Sequence, residues 1–156
     1  MYSQILVPLD GSENSERALP HAQELGRVSG ATLHLIQVVS HSEELDMVRG
    51  GGYDLLAAEY SQDLTREYIA ARINRAGEYL KEAAMRLESG GIKAETMVRE
   101  GAAAGNIVQY AQENGIDLII MGTRGQGGIQ RFLLGSTTDR VLRTGHVPVL
   151  VVPPEE

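Results

Sequence analysis

The chain has 156 residues, of which 42% are hydrophobic and 22% charged, the balance of one ordinary folded domain. It contains no cysteine, which excludes disulfide scaffolds, thiolate zinc sites, iron–sulfur clusters and cysteine nucleophiles. A net charge of −7 works against general binding to nucleic acid or to an anionic membrane surface.

Gln4 to Leu9 is a short apolar run followed at once by turn chemistry, Asp10-Gly11-Ser12. It reads as a buried strand with Pro8 confined to its end, because proline cannot donate to a ladder. Asn14 to Ser29 then carries Ala18, Leu19, Ala22, Leu25 and Val28 at helical spacing. Ser12, Asn14 or Ser15 is placed to cap this helix and Gly30 to close it. Pro20 is expected to cost it a hydrogen bond or bend it slightly. Thr32 to Val39 is a second strand, mostly apolar on both faces, as suits a parallel sheet covered by helices. From Ser40 to Tyr53 the chain turns polar and includes Gly50-Gly51-Gly52, and 40–53 reads as a mobile polar insertion.

Leu55 to Leu87 is a long helical region with Leu64, Ile69, Ile73, Leu80, Ala84 and Leu87 apolar, closed by Gly90-Gly91. Ile92 to Val98 supplies a third strand, Ala102 to Glu113 a helix and Asp117 to Met121 a fourth strand. A short helix from Ser136 to Arg143 and a fifth strand from Val147 to Val152 complete the order. Strict alternation of strand and helix predicts an α/β fold over a single domain, 1–156, with a doubly wound parallel sheet and right-handed crossovers. No apolar run approaches the ~20 residues that span a bilayer, and no signal-peptide pattern opens the chain. The expected location is cytoplasmic.

In an open parallel sheet, ligands bind beyond the carboxyl ends of the strands where the strand order reverses. Two segments with unusual residues fall at such ends: Pro8 to Ser12 after the first strand, and Gly122 to Thr137 after the fourth. Between Gly122 and Gly145, Arg124, Arg131, Arg140 and Arg143 stand against Asp139 alone, a local +3 that leaves −10 on the rest of the chain. A cationic, glycine-rich segment on an acidic protein points to a small anionic ligand. A P-loop is absent, since neither Lys81 nor Lys93 follows a glycine, and a dinucleotide fingerprint fails because Gln130 stands where its third glycine is needed. What remains is Gly122, Gly125, Gly135 and Ser136 at spacings of two and nine residues. Glycines let backbone approach a phosphate, and Gly135, Ser136 and Thr137 then offer amides and hydroxyls at a helix amino terminus. A branched side chain at Gly122 or Gly135 is therefore expected to block a ligand and spare the fold. The four histidines lack metal-ligand spacing, and the nucleophile elbow Gly-x-Ser-x-Gly is missing.

The glycine pattern, together with Ile5-Leu-Val-Pro-Leu-Asp-Gly-Ser12 and His146-Val-Pro-Val-Leu-Val-Val152, resembles the nucleotide-binding branch of the universal stress protein family. The resemblance covers essentially the whole chain. It implies a five-stranded parallel sheet in the order 3-2-1-4-5, helices on both faces, and ATP at the switch between strands one and four. Pro8 and Leu9 would border the base, Val38 would close its apolar side, and Asp10 would hydrogen-bond the ribose or adenine end. Met121 and Gly122 would line the ribose, Arg124 and Gly125 would begin the phosphate loop, and Gly135, Ser136 and Thr137 would hold the phosphates. The phosphates would carry a divalent cation, Mg²⁺ or Mn²⁺, with no ligand from protein side chains. The family pairs its last strand across a two-fold axis, which implies a homodimer through Val147, Val149, Leu150, Val151 and Val152.

No residue stands out as a base for attack on a γ-phosphate, so the expected role is a stress-response regulator or sensor with slow or no hydrolysis. Binding of cyclic AMP or AMP, a slow ATP phosphohydrolase, and a protein-interaction module that does not use nucleotide are the alternatives. The protein partner is unspecified.

Overall fold

Gln4–Pro8 forms β1, and Ile5, Leu6 and Val7 within it have no exposed surface. Burial on both sides is what a central parallel strand requires. The computed structural model describes residues 1–41, 55–123 and 134–155, with the side chains of the long helix described from Leu64 onward. The insertion expected over 40–53 therefore lies outside the described residues apart from Ser40 and His41.

After β1 come α1 (Glu13–Glu16), α2 (Ala18–Ser29), β2 (Thr32–Val39), α3 (Leu55–Ser89), β3 (Ala94–Glu100), α4 (Ala103–Glu113), β4 (Leu118–Gly122), α5 (Ser136–Thr144) and β5 (Val149–Val152). The strands form one parallel sheet in the order β3-β2-β1-β4-β5. Alternation along each strand divides the core in two. Ile5, Val7, Leu33, Leu35, Leu118 and Ile120 pack against α2 and α3. Leu6, Ile36, Ile119 and Met121 pack on the other face against Ile107 and Tyr110 of α4 and Val141 of α5. Each fully buried aliphatic side chain contributes about 1.5–3 kcal/mol.

The expected first helix is interrupted. Ser12 caps α1 by accepting from the Ser15 amide at 3.2 Å, and Arg17 then separates α1 from α2 while keeping right-handed helical angles. Pro20 is the cause: it has no N–H for the Glu16 carbonyl, and it is accommodated in the first turn of α2, where none is needed. Gly30, at φ +72, ends α2. Val28 faces solvent rather than the core.

Strand limits shift for physical reasons. Val147 precedes β5 instead of belonging to it, since Pro148 has no N–H for a ladder, and its side chain packs against the α4/α5 core. Ile92, held by its amide on the Leu87 carbonyl, plugs the end of α3 before β3 begins at Ala94. In α3 the core stripe is Ala76, Leu80, Ala83, Ala84 and Leu87, whereas Leu64 is exposed. Asp117, just before β4, accepts from the Ser3 amide and hydroxyl, both at 2.8 Å, and from the Gln4 amide at 3.2 Å, tying the amino ends of β1 and β4. Burial raises the pKa of its carboxyl, but those donors outweigh it and hold the group below the ordinary aspartate range.

Gly122 has a packing role that the sequence reading did not foresee. A Cβ there would lie 1.9 Å from the Asn14 carbonyl oxygen, so α1 packs directly on the backbone of β4. A side chain at 122 thus strikes the fold before any ligand, contrary to the expectation that the fold is spared. We expect Gly122→Ala to destabilise the protein by about 1–3 kcal/mol, read as a fall in thermal midpoint. A native midpoint would show that α1 is not seated on β4.

His34, on β2, is a buried polar side chain. Its Nε2–H donates to Gln4 Oε1 at 2.6 Å, and its Nδ1 accepts from the Tyr110 hydroxyl at 2.9 Å. Burial pushes its pKa down, against the opposing pull of Glu95, so the ring is neutral in the folded state. The folded pKa lies below the unfolded one. Stability held by the neutral ring is therefore complete above about pH 6.5 and is lost as the pH falls from there toward the folded value. The thermal midpoint should drop over that window in the native protein and much less in His34→Gln; identical pH profiles would refute the assignment.

Candidate functional site

β1 has β2 on one side and β4 on the other, so the strand order reverses between β1 and β4. At the carboxyl ends of these strands the alternation places Pro8, Val38 and Met121 on the α4/α5 face. Met121 is buried, and Pro8 and Val38 are half-buried. Leu9 points the other way: its side chain belongs to the α2/α3 core, and only its amide, on the Ile36 carbonyl at 2.8 Å, faces along the sheet edge.

Asp10 follows in a stapled turn. Its Oδ1 accepts from the Ser12 amide at 2.9 Å, its own amide donates to Ser15 Oγ at 3.2 Å, and Ser15 Oγ donates to the Ser12 carbonyl at 2.9 Å. Gly11 sits at φ +82, a conformation side chains rarely adopt. The carboxylate thus shapes the turn while Ser12 caps the helix, and Asp10 remains exposed at the switch point.

On the other side of the crevice, Thr123 leaves β4 with its amide on the Val152 carbonyl at 3.0 Å. Arg124, Gly125 and Arg131 lie outside the described residues. The chain re-enters at Leu134, and Gly135 is the N-cap of α5, in extended conformation at φ −54, ψ 151. Having no side chain, Gly135 supplies no cap to the first amides of the helix, at Ser136, Thr137 and Thr138. Those donors and the positive end of the helix dipole are the elements of an anion site. Ser136 is exposed and Thr137 half-buried, while Thr138 is buried. Arg143 is not part of it, since it pairs with Asp139 one turn back at 2.9 Å.

Beyond Asp10, on the α2/α3 face, lies a cavity of about 380 Å³ that sequence reasoning missed. Gln37 and Val39 of β2 and Arg72, Arg75, Ala76 and Tyr79 of α3 line it with the Asp10-Gly11 turn. The Tyr79 hydroxyl donates to Glu16 Oε1 at 2.7 Å. Burial, that bond and the nearby acids raise its pKa well above the ordinary tyrosine value. Among the described residues Gln37 Oε1 is buried without a hydrogen-bond partner, at a cost of about 1–3 kcal/mol. A signal existed: the α3 core stripe, followed back one turn from Ala76, arrives at Arg72, and Gln37 stands at an inward position between Leu35 and Val39.

Among the described residues no helix is long and apolar enough to cross a membrane. The sequence profile of the universal stress protein family matches residues 1–153. Universal stress protein MJ0531 of Methanocaldococcus jannaschii is 35% identical over 97% of this chain and 82% of its own length. The solved structure of protein MJ0577 superposes with a TM-score of 0.78 at 28% identity, covering 100% of this chain and 99% of that one. A universal stress protein solved in complex with cAMP has a TM-score of 0.63 at 26% identity, over 97% of both chains. With its whole length spanned by the profile, its sheet in the order β3-β2-β1-β4-β5 and its glycine-capped α5 beside the switch point, this chain belongs to the universal stress protein family.

Proposed function

We propose that the chain binds ATP at the carboxyl ends of β1 and β4 and acts as a stress-response regulator or sensor. The observation that carries the reading is the uncapped amino terminus of α5, at Gly135, Ser136 and Thr137, set across the switch point from an apolar surface of Pro8, Val38 and Met121. One side suits phosphates and the other an adenine ring, and Asp10 between them suits ribose hydroxyls. In this reading the backbone of Leu9 and Gly122 borders the nucleoside, and Arg124 and Gly125 continue the phosphate loop. Mg²⁺ or Mn²⁺ rides on the phosphate oxygens.

Hydrolysis is slow in this reading. Phosphoryl transfer needs a positioned base or water-orienting group, and the acid at the crevice, Asp10, is committed to the Ser12 amide at the nucleoside end. A second reading, an AMP or cyclic AMP receptor, is favoured by the relative solved with cAMP, because one phosphate would engage the same amides. Homodimerisation through β5 belongs to the proposal too: β5 pairs with β4 on one side and forms an edge of the sheet.

Native mass spectrometry of the purified protein, followed by calorimetric titration with ATP, AMP and cyclic AMP, tests this. We expect a dimer with one ATP per chain. Gly135→Val should weaken ATP at least about tenfold, and Ser136→Ala about three- to tenfold, with the fold retained. Tighter binding of cyclic AMP than of ATP would favour the second reading, and no binding at millimolar nucleotide would refute both.

A further inference from the structure

Among the described residues β3 and β5 are the two edges of the sheet. β3 pairs with β2 in one unbroken parallel register from Ala94 to Glu100, with neither a bulge nor a proline in it. The ladder fixes which of its backbone groups face outward. The Leu33 amide donates to the Lys93 carbonyl and the Gly101 amide to the Val39 carbonyl, both at 2.9 Å. Odd-numbered residues of β3 therefore face β2, and Ala94, Thr96, Val98 and Glu100 turn N–H and C=O away from the sheet. Asn106 Nδ2 covers the Glu100 carbonyl at 3.2 Å. Among the described residues no hydrogen bond reaches the outward groups of Thr96 and Val98. Thr96 and Met97 are exposed. Such an edge is a template for another strand.

The side chains select the strand that fits. Glu95, Met97 and Arg99 share one face of β3, with the acid and the base two residues to either side of the methionine. Turned antiparallel about Met97, a second β3 sets Glu95 opposite Arg99 at both ends and Met97 opposite Met97. The same register brings Thr96 opposite Val98, and their outward groups then exchange both backbone hydrogen bonds. Centring on Thr96 would instead set Lys93 against Arg99, a like-charge pair, and centring on Val98 would leave Glu95 opposite Gly101. Glu95 is exposed and pairs with no cation among the described residues, because its neighbour His34, at 3.5 Å, is neutral. Arg99 keeps its own partners: it pairs with Glu113 and lies over the Tyr110 ring at 5.1 Å, which fix its charge at the edge. We propose that β3 is a self-association edge, at which two copies of this chain join antiparallel across a two-fold axis through Met97. The contact is isologous, each copy offering the same residues to the other. It is separate from pairing through β5, since the two strands are opposite edges of the sheet.

Cross-linking tests the proposal cleanly, since the native chain has no cysteine. Opposed residues at such a position lie about 4.5 Å apart at Cα, within reach of a disulfide. Met97→Cys should therefore oxidise to a covalent dimer at least about tenfold faster than Met85→Cys, an exposed site on α3. By native mass spectrometry, Glu95→Lys and Arg99→Glu should each weaken this association about tenfold. Mixing the two folded variants should restore it, because every charge then faces its opposite. Thr96→Pro should also break the contact and spare the fold, because the N–H it removes points outward. If β5 pairs as well, these variants fall back to the β5 dimer; if it does not, they fall to monomer. Equal cross-linking at positions 97 and 85, native association in Thr96→Pro, or no recovery on mixing would each overturn the assignment.

Discussion

Burial of β1 on both faces sets the terms for the rest of the structure. Ile5, Leu6 and Val7 are wholly enclosed, so helices must cover the sheet on either side and every ladder group must be paired within it. The polar side chains at the amino end of β1 are hydrogen-bonded. Asp117 ties the amino ends of β1 and β4, and His34 reaches both Gln4 and Tyr110. The carboxyl ends are then the place where unpaired donors, acceptors and charges can gather, and the strand reversal opens a crevice there.

α1 is a short helix with an outsized structural role. It rests on the bare backbone of Gly122 on one side, and its Glu16 accepts the Tyr79 hydroxyl of α3 on the other. The Asp10-Gly11-Ser12 turn that precedes it is closed by hydrogen bonds among Asp10, Ser12 and Ser15. The nucleoside end of the proposed site is thus preorganised by packing against a strand and a helix from elsewhere in the chain, which a loop alone would not provide.

The two faces of the sheet differ in what they offer at that end. On the α4/α5 face the residues are apolar and lead to the amides of α5; on the α2/α3 face they are Gln37, Arg72, Arg75 and Tyr79. An unsatisfied buried oxygen opposite two guanidinium groups is costly for a fold that could have used a leucine there.

Much of this was legible in the residues. Strand and helix alternation, the end of β1 at Pro8, the close of α2 at Gly30 and the glycine pattern after β4 are local features, because backbone chemistry and hydrophobic period depend on near neighbours. The sheet order, with its reversal between β1 and β4, followed from the family resemblance and holds in the structure. What tertiary structure alone decided involves residues far apart in the chain. The Asn14 carbonyl seated against Gly122, and the pleat that turns the Leu9 side chain into the α2/α3 core, are contacts of this kind. Val147 has strand propensity, yet Pro148 keeps it out of β5, and Val28, though within α2, faces solvent because of that helix's orientation. The cavity of Gln37, Arg72, Arg75 and Tyr79 exists only because α3 crosses the end of β2, and no spacing in the sequence measures that crossing. Local pattern therefore determined the elements and their order; side-chain direction and the long-range packing of helices on the sheet decided which residues meet.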